Sequence, residues 1–250
     1  MSQIVMVEGP SGSGKTTAIK NLPPESTYLI SVLPKNLSFP GWKQAYKPSI
    51  GDIQGNRKII FANSFSSDGY KANKALFVDS TKMVCATMQN VSSKLTDVTN
   101  IIIDDSQYLM AYEFMARARE KGFEKYNELA QNFFDILTTA QSLRDNITVF
   151  FLHHTEIQEG VRKAKTLGKM IDNYLTLEGL FNIVLLSDSR KINNKIEYFF
   201  VTNSDGTSTA KSPDGMFPSE MPNDLLLVLD YIDKYDNGIL VEEEKGTLNG

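Results

Sequence analysis

The stretch Gly9-Pro10-Ser11-Gly12-Ser13-Gly14-Lys15-Thr16 decides the fold of this chain. It matches the phosphate-binding loop pattern G-x-x-x-x-G-K-[ST] at every fixed position. The apolar run before it, residues 4–7, predicts a strand, and residues 16–21 after it predict a helix that ends before a Pro-Pro pair. A strand, a glycine-rich loop and a helix in this order are the setting in which such a loop holds a phosphate group.

The loop predicts a site for ATP with Mg²⁺ as cofactor. Its glycines let the backbone wrap a phosphate, and successive N–H groups stabilise the negative charge. Lys15 would reach the β and γ oxygens, and the Thr16 hydroxyl would ligate Mg²⁺. The predicted nucleotide-binding residues are Gly9, Ser11, Gly12, Ser13, Gly14, Lys15, Thr16 and Thr17.

A second predicted strand supplies carboxylates to the same site. Residues 100–103 form an apolar run that ends in Asp104 and Asp105. A phosphate loop needs one acid from a neighbouring strand end to hold Mg²⁺. We assign Asp104 to the metal and Asp105 to the attacking water, because adjacent residues leave a strand end in different directions. The exchanged assignment, and a role for one acid as a helix cap, stay open at this point.

Two histidines follow the predicted strand at residues 147–152. His153 and His154 should emerge at the carboxyl edge of the sheet, where ligands bind in open α/β folds. Their side chains point to opposite faces of a strand, so at most one faces the nucleotide. We predict that His154 senses the γ-phosphate, and the alternative is that both histidines are hydrogen-bonded structural residues.

A run of basic residues comes next along the chain. Arg162, Lys163, Lys165 and Lys169 lie within eight residues that contain no acid, in a stretch predicted to be a loop. Four cations on a flexible backbone are suited to a nucleic-acid phosphate chain, and the alternative is a solvated charged surface. A second group, Arg117, Arg119 and Lys121, is mixed with glutamates and favours the solvated alternative.

Composition places the chain among ordinary globular proteins. It has 250 residues, of which 41% are hydrophobic and 22% charged, and a net charge of −4, which argues against coating by nucleic acid through bulk charge. The lone Cys85 suits a reducing compartment, and we find no export signal and no run long enough to span a membrane. We therefore expect a cytoplasmic protein with one domain over residues 1–240 and an acidic, flexible tail at 241–250.

The alternation of strands and helices predicts an α/β fold. A mostly parallel central sheet would carry helices on both faces. Residues 111–143 show helical spacing and form one long helix or a broken pair. Strands at 181–186 and 196–201, the second entered through a turn at Asn193-Asn194, would add an antiparallel C-terminal flank, followed by a last helix at 224–235. The composition of residues 34–55 predicts a long loop or irregular insertion.

These motifs together resemble a known family. The loop GPSGSGKTT, the strand IIIDDSQYLM, the strand VFFLHHTE and the basic stretch after it look like the core of RecA-like P-loop ATPases over residues 4–211. They are similar in particular to small phage-encoded proteins of single-strand annealing and recombination. The resemblance implies ATP hydrolysis, single-stranded DNA as a partner, and a homo-oligomeric ring or filament in the host cytoplasm. It also implies that residues 107–123 and 156–169 face the DNA.

Two further details come from the resemblance. Residues 209–215 are similar to a Lys-x-x-x-Gly segment that reaches into a neighbour's ATP site, so Lys211 would act in trans. RecA-like proteins place a catalytic glutamate at the end of the strand after the phosphate-loop helix, but here that strand ends Val32-Leu33-Pro34-Lys35. Asp105 would then do the work of that acid, or hydrolysis is slow.

Two other functions fit the same motifs. Nucleoside-monophosphate kinases share the phosphate loop, but they carry an Arg-rich lid, and residues 162–169 hold a single arginine. A non-catalytic nucleotide switch or helicase loader would use its ATP state to control docking. A single-strand-binding protein or a replisome component is a further candidate partner. The fold alone does not choose between these functions.

Overall fold

The computed structural model of the chain describes residues 1–33, 35–46, 48–49, 59–61, 75–167, 172 and 176–241. The predictions for Lys169, for residues 242–250 of the tail and for parts of the 34–55 segment lie outside these residues. Among the described helices, none has the length and apolar character needed to cross a bilayer.

Ten strands within the described ranges form one sheet around the strand that carries the phosphate loop. The sheet order is β10-β9-β8-β1-β6-β5-β2-β4-β3, and β7 pairs with β6 outside this path. The strands are β1 Gln3–Gly9, β2 Thr27–Ser31, β3 Pro48–Ser49, β4 Ile59–Phe61, β5 Asn100–Asp104, β6 Thr148–Gln158, β7 Val161–Ala164, β8 Ile183–Ile192, β9 Lys195–Val201 and β10 Glu220–Pro222.

The central strands are buried on both faces. β1, β2, β5 and the first part of β6 are continuous apolar runs, which is the pattern of parallel strands covered on both sides. Ile4 and Met6 of β1 pack into the core on one face, and Val5 and Val7 pack into the core on the other. Each strand therefore contributes to two hydrophobic layers.

Helices cover both faces. The helices are α1 Trp42–Ala45, α2 Ala75–Lys94, α3 Gln107–Ala116, α4 Glu124–Gln141 and α5 Leu225–Asp236. α2, α3 and α4 pack on the face of Met6, whereas α5 and a 3₁₀ helix at Thr16–Asn21 pack on the face of Val7. The stretch predicted to be helical at 111–143 therefore forms two helices, α3 and α4, rather than one long helix.

The carboxyl edge of the sheet gathers the predicted site. β1, β5 and β6 are parallel, with Gly9 level with His154 and Asp104 level with Leu152. On the C-terminal side, β9 and β10 run antiparallel to their neighbours. The β8–β9 turn has positive φ at Asn193 and Asn194, as a tight hairpin requires. The predicted α/β fold class is confirmed: a mostly parallel sheet, helices on both faces and an antiparallel C-terminal flank.

One prediction of local structure is wrong. The sequence predicts a loop for the basic stretch after His154, but β6 continues through Gln158 and turns back as β7. The turn is made by Glu159 and Gly160, which both have positive φ. β-branched residues such as Thr155, Ile157 and Val161 favour the hairpin. Arg162 and Lys163 therefore lie on a strand rather than in a flexible loop.

Candidate nucleotide-binding site

A cavity of about 210 Å³ lies over the phosphate loop at the carboxyl edge of the sheet. Six of the eight predicted nucleotide-binding residues line it, and two predicted chemical residues, Asp105 and His154, reach it from β5 and β6. The full lining is Ser11, Gly12, Gly14, Lys15, Thr16, Thr17, Lys35, Ser38, Asp105, His154 and Tyr198. Gly9 and Ser13 belong to the loop but do not line the cavity.

The hairpin β8–β9 supports the loop. Ser187 Oγ donates to the Ser13 carbonyl at 2.9 Å and accepts from Asn223 Nδ2 at 2.8 Å. A Cβ on Gly9 would come within 2.5 Å of the Ser187 carbonyl oxygen. A Cβ on Gly14, where φ is +98°, would lie 2.7 Å from the Tyr198 ring. The loop glycines are therefore required by close contacts as well as by backbone conformation.

Thr16 and Asp104 lie together under the cavity. Thr16 Oγ1 donates to Asp104 Oδ1 at 3.1 Å. Burial, and after it the neighbouring charge of Asp105, raises the pKa of Asp104 to about 6. Beside this pair, Lys15 Nζ donates to the carbonyls of Gly9 at 2.7 Å and Pro10 at 2.8 Å. Burial lowers the pKa of Lys15 to about 8, so its ammonium lies where an added negative charge would stabilise it.

The Thr16–Asp104 pair fits a magnesium ion. Mg²⁺ prefers hard oxygen ligands and is held by one or two protein oxygens together with phosphate oxygens and water. A hydroxyl and a carboxylate within hydrogen-bond distance offer such a donor pair next to the Lys15 ammonium. Burying the Asp104 carboxylate is costly in free energy, and a bound cation would offset this cost by neutralising its charge.

Asp105 has different partners. It has a positive φ of 63°, which is uncommon for a residue with a side chain and turns its carboxylate away from Asp104. Oδ1 lies 3.2 Å from His154 Nε2, and Oδ2 forms an ion pair with Lys35. Burial alone would raise the pKa of Asp105, but the bonds from His154 and Lys35 outweigh it and hold the pKa below its ordinary value. Asp104 thus lies beside Thr16 and Asp105 beside His154. The assignment of Asp104 to the metal and Asp105 to the attacking water stays a prediction.

The two histidines have separate environments. His153 is fully buried: its Nε2 donates to the Lys165 carbonyl at 2.8 Å, and its Nδ1 lies 2.8 Å from Ser106 Oγ. Burial lowers the pKa of His153 to about 4, so the ring is neutral. His154 lines the cavity, and its backbone N–H donates to Gln107 Oε1. Only His154 is therefore placed to meet a nucleotide.

Two of the basic residues predicted to bind nucleic acid have acidic partners in the structure. Arg162 forms an ion pair with Asp188 of β8, and Lys163 Nζ lies 3.5 Å from Asp172 Oδ2. Lys165 is exposed and has no ion-pair partner among the described residues. It lines a second cavity of about 150 Å³, which shares His154 with the first and also contains Tyr108. Acids distant in sequence thus neutralise part of the predicted basic surface.

The second basic group contains a buried residue. Arg117 is only 7% exposed, and it forms ion pairs with Glu113 at 3.1 Å, Glu120 at 2.8 Å and Glu128 at 2.5 Å. The expectation of a solvated surface is therefore wrong for Arg117. Its guanidinium ties α3 to α4.

Lys211 lies away from its own chain's nucleotide cavity. Its backbone N–H and carbonyl pair with Val184 of β8 at 2.9 and 2.8 Å. Nearby in sequence, the Thr209 hydroxyl donates to Glu8 Oε1 at 2.8 Å. The segment is thus fixed on the sheet, and a role for Lys211 at a neighbour's site stays a prediction.

Sequence reasoning missed three residues of the cavity, which are Lys35, Ser38 and Tyr198. Lys35 comes from the segment after β2, and Tyr198 comes from β9 and lies over Gly14. The signal for Lys35 was present: it stands where the resemblance leads one to expect an acid. Tyr198 gave no local signal, because a strand tyrosine is ordinary in sequence.

Among the solved structures that the chain resembles are the following two, both of which are weak likenesses. A KaiC-like protein from Pyrococcus horikoshii is 13% identical, covers 82% of this chain and 81% of its own, and has a TM-score of 0.43. The flagellar accessory protein FlaH from Methanocaldococcus jannaschii is 15% identical, covers 79% and 76%, and has a TM-score of 0.40. No family model and no curated protein sequence matches the chain. The function is accordingly inferred from the side chains of the site.

Glu8, next to the phosphate loop, gives a prediction about stability. It is fully buried, and only its Oε1 has a hydrogen-bond partner among the described residues, Thr209. Burial raises the pKa of Glu8 to about 8, and the nearby Glu178 charge adds to this. Between about pH 4.5 and pH 8, the unfolded chain loses this proton while the folded protein keeps it, so stability falls as pH rises.

Glu8→Gln is expected to remove the loss of stability at higher pH, because glutamine has no proton to lose, and to keep the hydrogen bond from Thr209. At pH 8 the free energy of unfolding should rise by roughly 4 kcal/mol, and at pH 4 it should change little. Urea unfolding from pH 4 to pH 9 measures this, with the exposed Glu25→Gln as the control. If the free energy of unfolding varied with pH in the same way for Glu8→Gln and the unchanged protein, Glu8 would be ionised in the folded protein and this prediction would be wrong.

Proposed function

We propose that this protein is a Mg²⁺-dependent ATPase of the RecA-like class, acting on single-stranded DNA in the recombination, annealing or replication of phage DNA. The observation that carries the ATPase part is a cavity lined by the phosphate loop and the Asp105–His154 pair, with Asp104 buried beneath it on Thr16. The two members of each pair lie on or after different strands, β1 and β5 for Thr16–Asp104 and β5 and β6 for Asp105–His154, so the parallel sheet brings the groups together.

The residues of the site divide the work of phosphoryl transfer. The loop backbone and Lys15 hold the β and γ phosphates, and Thr16 with Asp104 holds Mg²⁺. Bound Mg²⁺ supplies charge neutralisation at these phosphates. Asp105 has the ionised carboxylate needed to orient water and accept its proton. His154 stands between Asp105 and the second cavity and is suited to sense the terminal phosphate.

The DNA part of the proposal is supported by the second cavity. It combines the exposed ammonium of Lys165 with the Tyr108 ring, the two side-chain types that contact the phosphates and bases of single strands. The Tyr108 and His154 rings meet edge to face with centroids 6.1 Å apart. His154 therefore connects the proposed DNA-binding cavity with the nucleotide cavity.

Replacing Arg162, Lys163 and Lys165 together with alanine is expected to weaken single-stranded DNA binding. The slope of log affinity against log salt should fall by about 0.7 for each DNA phosphate that the variant no longer neutralises. Because Arg162 and Lys163 have acidic partners, Lys165→Ala alone should produce most of the change. Fluorescence anisotropy with a labelled oligonucleotide at several salt concentrations measures it. The exposed Lys82→Ala on α2 is the matched control, and unaltered affinity in the triple variant would reject this surface.

The oligomer belongs to the same proposal. If Lys211 completes a neighbour's site, the rate per molecule should rise with protein concentration. A protein that binds ATP but hydrolyses it only when a nucleoside monophosphate is added would be a kinase. One that binds ATP without hydrolysis, with or without DNA, would be a nucleotide switch.

A further inference from the structure

Lys35 is an additional cation in the nucleotide cavity. Its ammonium forms an ion pair with Asp105, and its side chain is 43% exposed, against 2% for that of Asp105. Its backbone N–H donates to the Leu33 carbonyl at 2.8 Å. The lysine is thus anchored at its backbone, while its side chain lies along the wall of the cavity.

Lys35 lies at the end of the cavity where the terminal phosphate is expected. Asp105, its partner, also contacts His154, and both line the cavity together with Lys15 and Thr16. Within the described residues no arginine lines this cavity, and Lys15 and Lys35 are its two lysines. A third phosphate adds negative charge that a diphosphate lacks. Lys35 is the lysine beside Asp105 whose ammonium could contact this third phosphate.

We propose that Lys35 is a catalytic residue that contacts the terminal phosphate of ATP from within the same chain and shares its ammonium between that phosphate and Asp105. This inference rests on the proposed ATPase function. It gives the protein a built-in preference for triphosphate over diphosphate. It also provides positive charge near the reacting phosphate without a neighbouring subunit, in contrast to Lys211.

A simpler role has to be separated from this one, in which Lys35 only neutralises the buried Asp105 carboxylate. In that case removing the Lys35 ammonium would leave the Asp105 carboxylate unneutralised, and its repulsion of the third phosphate would lower the preference for ATP over ADP only while Asp105 is charged. Asp105→Asn removes the charge that Lys35 would neutralise and keeps the shape of the side chain, so it is the background in which the two roles differ.

The experiment measures the affinities of Mg-ATP and Mg-ADP by calorimetry in four forms: the unchanged protein, Lys35→Ala, Asp105→Asn and the double variant. Lys35→Ala is expected to lower the ratio of ATP to ADP affinity by at least about tenfold, in both backgrounds, because alanine cannot donate a charge-assisted hydrogen bond to the third phosphate. Lys43→Ala is the matched control, since Lys43 lies on the same segment, over the Trp42 ring and outside the cavity lining.

The outcomes are distinct. An unchanged ratio in the Asp105→Asn background would overturn the phosphate contact and leave the ATPase proposal standing. Equal weakening of ATP and ADP would also overturn it, because a general disturbance of the site has no preference for the third phosphate. If the unchanged protein bound neither nucleotide, the proposed function itself would fail, and the role of Lys35 with it.

Discussion

Lys15→Ala is expected to abolish measurable ATP hydrolysis. The Lys15 side chain is buried in the phosphate loop, where its ammonium contacts the carbonyls of Gly9 and Pro10. An alanine leaves no cation inside the loop to meet the β and γ phosphates. Removing one such stabilising group costs about a hundredfold to a thousandfold in rate. Phosphate release and nucleotide binding, measured on the same preparation, give the size of the effect.

The control for this variant lies on the 3₁₀ helix that begins directly after Lys15. Lys20 is exposed and does not line the cavity, so Lys20→Ala should keep the full rate. Thermal unfolding of both variants checks that the fold is intact. Hydrolysis by folded Lys15→Ala at the rate of the unchanged protein would refute the site.

Asp105→Asn is expected to lower the hydrolysis rate by at least about a hundredfold while ATP still binds. The amide keeps the size of the carboxylate but accepts no proton from water, and removal of a general base costs about 10²–10⁴ in rate. Asparagine also tolerates the left-handed backbone at this position, where φ is 63°. Single-turnover hydrolysis and equilibrium binding separate the two effects.

Asp104→Asn should give a different result and serves as the comparison. Asp104 contacts Thr16 rather than His154, so replacing its carboxylate should raise the Mg²⁺ concentration required for activity. If Asp105→Asn instead raised the Mg²⁺ requirement and kept the maximal rate, the two aspartates would have exchanged roles. That outcome would contradict the assignment of Asp104 to the metal.

The core of the site could be predicted from local sequence. The phosphate loop has a fixed pattern, and the apolar run before Asp104 identifies a strand end at the same edge of the sheet. The alternation of side chains along a strand allowed only one of His153 and His154 to face the nucleotide, and the structure places His154 there. These features depend on residues close together in the chain.

The rest of the site depends on contacts distant in sequence. Lys35 meets Asp105 across 70 positions, and Tyr198 lies over Gly14 because β8 pairs with β1 and carries β9 beside the loop. Asp188 of β8 likewise forms an ion pair with Arg162 of β7, although the two residues are 26 positions apart in sequence. Sequence shows the charges of such residues but not their partners. The sequence therefore predicts more unpaired positive charge at Arg162 and Lys163 than the structure has.

The most direct test of the proposed function is steady-state ATP hydrolysis by the unchanged protein, with and without Mg²⁺ and with and without single-stranded DNA, over a range of protein concentrations. We expect phosphate release that requires Mg²⁺, increases with DNA and rises per molecule with protein concentration. Absence of phosphate release under all of these conditions, from protein that is folded, would contradict the proposal.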